Sequence, residues 1–444
     1  MSQAPVAPAL SPFGAGLGRA LALRGRDLLV AKDLATLVPA LAPLEAYFIV
    51  KELGVGDAVP ILLHATSEQL QAFVDLDCWA EGRPDAVELD AWLAPFAAEG
   101  PDELAHVFNA LDEEQQILFL GDSLDVYDLR AEEDPETEPD KPRLTTPDGF
   151  FVIVPKVDQD SREVDLFMLI RSLYRASLEQ AFRLLMAVKW EGGADTEERA
   201  LHFRTGRLQD LGFPEPADAA RLFTPPPKKR RRPDRPRPRA DEPSTLPALY
   251  AAPLREGSLL SRALFCIVDA EETTRLEREL IMLINTAVVG YGESPRHVEH
   301  VAEIAARVRD SLCLGLEALL RDVADEPVDL GSDAAVKGAA ALLGEHSLVD
   351  IFRAAFREVA AVQVVARSLV ADPVVTSWLE RPAREGDDYS AERRDRAFLH
   401  ALLAPRPLLS GFDAVRPEKV RAFASLSELA AARARLEAIA GHVA

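Results

Sequence analysis

The chain has 444 residues, 48% of them hydrophobic and 28% charged, with 7% aromatics. That is enough for two or three domains with sizeable cores, and the Ala/Leu/Arg/Glu-rich mix favours helices. The net charge of −23 repels phosphate backbones and anionic lipid at long range, which argues against a dedicated nucleic-acid or membrane-surface binder.

In chain order, residues 1–18 read as a disordered tail. They are Pro/Ala-rich with no basic stretch leading into an apolar one, so no signal peptide is expected. Gly14, Gly16 and Gly18 lack the preceding strand and the spacing of a phosphate-cradling loop, and read as part of that tail. Residues 19–224 form the first expected domain, which contains an internal repeat. Leu34–Val50, Ala58–Val74 and Leu104–Leu120 align, matching Leu37 with Ile61 and Val107, and Val38 with Leu62 and Phe108. They also match Leu41 with Ala65 and Leu111, and Ile49 with Phe73 and Phe119. Each unit reads as a short helix, a corner and a second helix. Capping boxes are expected at Thr66 with Gln69 and at Asp112 with Gln115, and a diverged copy over 80–100. Residues 125–142 read as an acidic loop. Residues 144–155 read as a short strand region, with Asp148-Gly149 as a hairpin-type turn pair. Helices resume at 165–189 and 196–209.

Residues 225–247, crowded with proline and carrying eight basic residues between Lys228 and Arg239, read as an extended linker. Lys228, Lys229, Arg230, Arg231 and Arg232 are the one candidate nucleic-acid contact, though no aromatics interleave with them to stack on bases. The second expected domain, 248–444, reads as a helical bundle with helices near 257–270, 271–289, 295–322, 333–345, 347–371, 391–403 and 425–441. The fold class is therefore all-α: an N-terminal superhelical stack of short helical pairs with one small β-hairpin inserted, then a C-terminal bundle.

Several stretches resemble a bacterial protein family of unknown function: Tyr47–Trp79, His202–Pro214, Leu276–Val289, Ser311–Leu319, His346–Phe356 and Leu402–Leu409. They span nearly the whole chain in order. The resemblance implies no catalytic residues, because the family has no assigned activity. Residues 34–125 also resemble the cytosolic N-terminal domain of MgtE-type magnesium channels, which implies a shape and not an activity, since no membrane domain follows.

Candidate chemistry is sparse. His297, Glu299, His300 and Glu303 could offer metal ligands, but the imidazoles lie three apart, not four as on a zinc-protease helix, so a solvated helix start is the simpler expectation. Glu271, Glu272, Glu277 and Glu279 crowd the start of another helix without the Glu-x-x-His pairs of a di-metal bundle. Asn285 lies in an apolar turn and needs a buried partner. Arg353 and Arg357, one turn apart, could clamp a phosphate or carboxylate, or meet acids on a neighbouring helix. Cys78, Cys266 and Cys313 have no metal spacing and read as small core residues.

No nucleophile elbow, phosphate loop or HExxH helix occurs, and no catalytic residue, cofactor or metal is expected. The leading expectation is a cytoplasmic scaffold or adaptor whose partner is another protein, without membrane insertion and without nucleic acid. The alternatives are an enzyme or small-molecule or metal sensor with a site in the bundle or between domains, and a nucleic-acid-associated factor acting through the basic linker.

Overall fold

The computed structural model describes residues 11–22, 25–131, 142–156, 161–191, 193–224, 246–255, 257–324, 328–381 and 391–443. Among them are twenty-two α-helices and five short strands. The fold is mostly all-α with a small inserted sheet. It divides into two compact units, Leu23–Leu211 and a second made of Met1–Ala22 with Gly212–Ala444.

The chain opens with α1 (Pro12–Ala22), which belongs to the second unit. This corrects the disordered tail expected over 1–18 from residue 12 onward; residues 1–10 lie outside the described set. Pro12 sits at the first turn, and Phe13, Leu17 and Ala20 fall on one helical face and are buried. Gly14 is part of that fit, since a Cβ there would lie 2.8 Å from the Phe265 ring.

The first unit runs α2 (Arg26–Leu29), α3 (Leu34–Leu37), α4 (Pro43–Leu53), α5 (Val59–Leu62), α6 (Ser67–Asp77), β1 (Trp79–Ala80), β2 (Arg83–Pro84), α7 (Ala86–Glu99), α8 (Pro101–Asn109), α9 (Glu113–Ser123), β3 (Leu124–Asp128), β4 (Leu144–Thr145), β5 (Phe151–Pro155), α10 (Leu166–Ala176), α11 (Leu178–Trp190) and α12 (Ala194–Asp210). The three aligned segments are helical pairs in matching places: α3 with α4, α5 with α6, α8 with α9. Their matched positions Val38, Leu62 and Phe108, like Ile49, Phe73 and Phe119, are buried. Leu37 departs from the pattern and is partly exposed.

Two local expectations are corrected. No helical pair occupies 80–100. Instead β1 and β2 form a hairpin, with Ala80 opposite Arg83, turned by Glu81 and Gly82, both at positive φ. Only α7 follows it. The acidic loop expected over 125–142 begins as strand β3, because Val126 pairs with Ile153 and Tyr127 with Val152 in antiparallel register. β5 is the centre of a three-stranded sheet ordered β3-β5-β4. Residues 132–141 lie outside the described set.

The second unit continues with α13 (Pro216–Ala220), α14 (Ala248–Ala251), α15 (Leu259–Phe265), α16 (Ala270–Tyr291), α17 (Val298–Val323), α18 (Asp333–Glu345), α19 (Leu348–Val370), α20 (Pro373–Leu379), α21 (Ala391–Leu403) and α22 (Leu426–Val443). Residues 212–224, assigned by composition to the N-terminal side of the linker, pack here instead, since Ala219 and Leu222 are buried. α17 and α19 cross closely, and Gly315 allows it: a Cβ there would press into the Ile351 carbonyl oxygen. Leu314, Val359, Val362, Trp378, Phe398, Leu399 and Leu436 form the core between α17, α19, α20, α21 and α22.

Among the described residues no single helix is long and apolar enough to cross a membrane. The one pair that passes on length and composition, α19 with α20, is bent by 101°.

Candidate functional site

The residues singled out by sequence are dispersed. His297 caps the start of α17 without a side-chain cap bond, and His300 Nδ1 meets Glu293 Oε2 at 2.8 Å on the surface. Glu303 accepts from Arg307 at 3.2 Å, and Glu299 is exposed. The two imidazoles lie 5.5 Å apart between centroids, but among the described residues no group of three or more His, Cys, Asp or Glu side chains could hold a metal.

Arg353 and Arg357 part company. Arg353 Nη2 donates to the Arg221 carbonyl at 2.9 Å. Arg357 joins an ion-pair cluster with Asp322, Glu358 and Arg321. Asn285 is fully buried and its Oδ1 accepts from Tyr250, whose phenol burial pushes well above its ordinary pKa. Of the four glutamates on α16, Glu272 and Glu279 grip Arg275, and Glu279 also accepts the Leu348 N–H at the start of α19. Cys78 and Cys313 are buried. Cys266 is exposed at the end of α15, against expectation, because that short helix turns its last residues outward. Lys228, Lys229, Arg230, Arg231 and Arg232 lie outside the described residues.

What the structure does bring together, and sequence reasoning missed, is a buried polar network in the first unit. Asp75 on α6 is fully buried. Its carboxylate accepts from Arg207 Nε at 2.5 Å and Nη2 at 3.0 Å, and from Gln71 at 3.0 Å and Gln115 at 3.2 Å. Burial pushes the Asp75 carboxyl upward while Arg207 pulls against it. Arg207 itself, although burial would lower it, is raised by Asp75 and Asp112.

Asp112 therefore does not close the expected capping box. Its carboxylate takes Arg207 and its N–H donates to Gln71 Oε1 at 2.8 Å, while Gln115 turns to Gln71 and Asp75. Arg204, over the Trp79 ring at 4.8 Å, adds a bond from Nε to the Asp75 carbonyl at 2.8 Å. Nearby, Asp77 accepts from Tyr47, Lys51 and Trp92. Asp75 and Asp77 each take several donors and Asp112 takes Arg207, so the network clamps α6, α9 and α12 together. The spacing Arg204-x-x-Arg207, one helical turn, was the available signal.

The clamp leaves the other face of α12 open. Beside it lies a groove lined by Trp190, Glu191, Asp195, Glu198, Arg199, His202 and Phe203, where Arg199 stands 3.9 Å from Glu191 and Lys189 lies 5.8 Å from the Trp190 ring. Trp190 is 63% exposed and Phe203 45%. Two large aromatics in water beside three carboxylates make a patch that can bury apolar area and attract cations.

The described residues thus form a mostly helical fold with a buried polar network in the first unit and an exposed aromatic groove beside α12. Over residues 22–444 it matches, and thus belongs to, the family described as a family of unknown function (DUF6178). No curated protein and no solved structure matches the chain, so the likeness of residues 34–125 to the magnesium-channel domain finds no support.

Proposed function

We propose that this protein is a cytoplasmic interaction scaffold whose first unit captures a protein partner in the groove beside α12. The observation that carries the reading is the exposure of Trp190 and Phe203 next to Glu191, Asp195 and Glu198. Exposed aromatics at this density are the anchors that dominate protein interfaces. The acidic rim selects a segment presenting an apolar side chain flanked by lysine or arginine, and gives the encounter a salt dependence. The three free cysteines fit a reducing compartment.

The test is cross-linking of the full chain in its native cells, followed by mass spectrometry of the joined peptides. The reading expects cross-links from 190–203 to one recurrent protein, cut about tenfold by Trp190→Ala with Phe203→Ser, in line with anchor residues worth more than 1 kcal/mol each. Unchanged capture by the double variant would remove the groove from the function.

A further inference from the structure

We propose that the groove beside α12 takes a second copy of this chain, through the loop 411–419 that joins α21 to α22. The inference rests on the interaction reading and names the occupant of its groove.

The loop is closed and held at its base. Leu409 and Arg421 exchange backbone hydrogen bonds at 2.8 and 3.0 Å, and the Gly411 N–H donates to the Pro417 carbonyl at 2.9 Å. The Ser410 hydroxyl donates to the same carbonyl. Gly411 takes a φ of 70°, and it lies so close to α21 that a Cβ would press into the Arg394 carbonyl oxygen. The Asp413 carboxylate accepts the Val415 and Arg416 N–H groups at 2.8 and 3.0 Å. A loop whose ends meet and whose backbone is bonded internally has little freedom left to lose on binding.

What the loop presents to water is apolar and cationic. Phe412 is 42% exposed and Val415 67%. Glu418 pairs with Arg393, and Arg421, stacked on the Phe412 ring at 5.0 Å, pairs with Glu428. Arg416 and Lys419 are exposed and form no ion pair among the described residues, with the Asp413 carboxylate as their nearby counter-charge.

The groove is the complement of this loop. It is concave, with a free volume of about 1010 Å³, where the loop projects. Its aromatics Trp190 and Phe203 stand in water as Phe412 and Val415 do. Arg199 answers Glu191, so the groove keeps Asp195 and Glu198 against Lys189, while the loop keeps Arg416 and Lys419 against Asp413. The two surfaces therefore carry opposite net charge, and each would cover apolar area that the other leaves exposed. Every copy offers one loop and one groove, so the contact is head to tail.

The experiment follows the full-length protein by sedimentation velocity over a wide range of concentration, at low and at high salt. The expected result is reversible self-association that grows with concentration and weakens with salt. Phe412→Ser with Arg416→Glu on the loop, or Trp190→Ala with Phe203→Ser on the groove, should each weaken it about tenfold, the size of a lost anchor contact. All four side chains are on the surface or at its edge, so both variants should keep the wild-type fold. An equal mixture of the two variants regains one intact loop and one intact groove, and should pair one to one where neither variant associates alone. A monomer at every concentration, self-association unmoved by the loop variant, or variants that stay apart when mixed would each overturn the inference. The interaction reading is decided separately: it stands if cross-links from 190–203 reach another protein while the chain stays monomeric.

Discussion

At the scale of single residues, the molecule is governed by where buried charge finds its partners. Asp75 is an ionisable side chain with no solvent exposure, compensated by Arg207, Gln71 and Gln115 with Arg204 beside them. Deleting one member of such a pair strands the other. Arg207→Ala should therefore destabilise the first unit by about 3 kcal/mol, whereas replacing both partners by apolar residues of similar volume should cost less. Denaturant unfolding of the single and double variants checks this, and a double-variant loss equal to the sum of the two single losses would mean the pair is not coupled. Individual residues were also the hardest thing to read in advance. Arg353 and Arg357 looked equivalent on one helical face, yet one serves a backbone carbonyl and the other an ion-pair cluster. Nothing local distinguishes them; the neighbours on α17 and before α14 do.

At the scale of elements, local grammar was largely legible. The amphipathic periods of α16, α17, α18, α19, α21 and α22 place helices within a few residues of where they occur. Thr66 and Gln69 form the full capping box their spacing implies. The same spacing failed at Asp112, because a guanidinium three helices further along the chain competes better for that carboxylate than a backbone N–H does. Helix crossings depend on residues that a periodicity does not reveal. Gly315 lies where α17 meets α19, and its missing Cβ is what lets the Ile351 carbonyl approach. Gly315→Ala improves helix propensity yet should destabilise the second unit by about 2 kcal/mol, through overpacking. A lowered thermal midpoint is the expected readout, and a raised one would show that the helices can part cheaply.

At the scale of the whole molecule, the net charge of −23 makes pH a sensitive variable, and the paired acids give it a sign. Burial would raise Asp322 and Glu358, but Arg321 and Arg357 outweigh it, so both are held below their ordinary values of 3.8 and 4.5. Between its folded and unfolded pKa values each acid binds more protons in the unfolded chain. The stability they contribute is thus complete well above pH 4.5 and is lost as pH falls through the lowered values. Glu358→Gln should cost stability at pH 7, and the gap to wild type should close as pH drops below about 4. Unfolding curves across that range decide it: a gap independent of pH would make Glu358 a packing residue only.

Composition and periodicity alone determined that the chain is helical, that its first part repeats a short helix, a corner and a second helix, and that a short strand region interrupts it near 144–155. These follow from short-range physics, namely helix propensity, the 3.6-residue period and turn chemistry, which a linear sequence carries intact. Only the tertiary structure decided that residues 12–22 fold as a helix of the second unit, and that Asp75 and Arg207, distant in sequence, share a buried bond. Such assignments are made by competition among side chains for the same donors, acceptors and apolar area. The winner depends on three-dimensional neighbours, which no window along the chain contains.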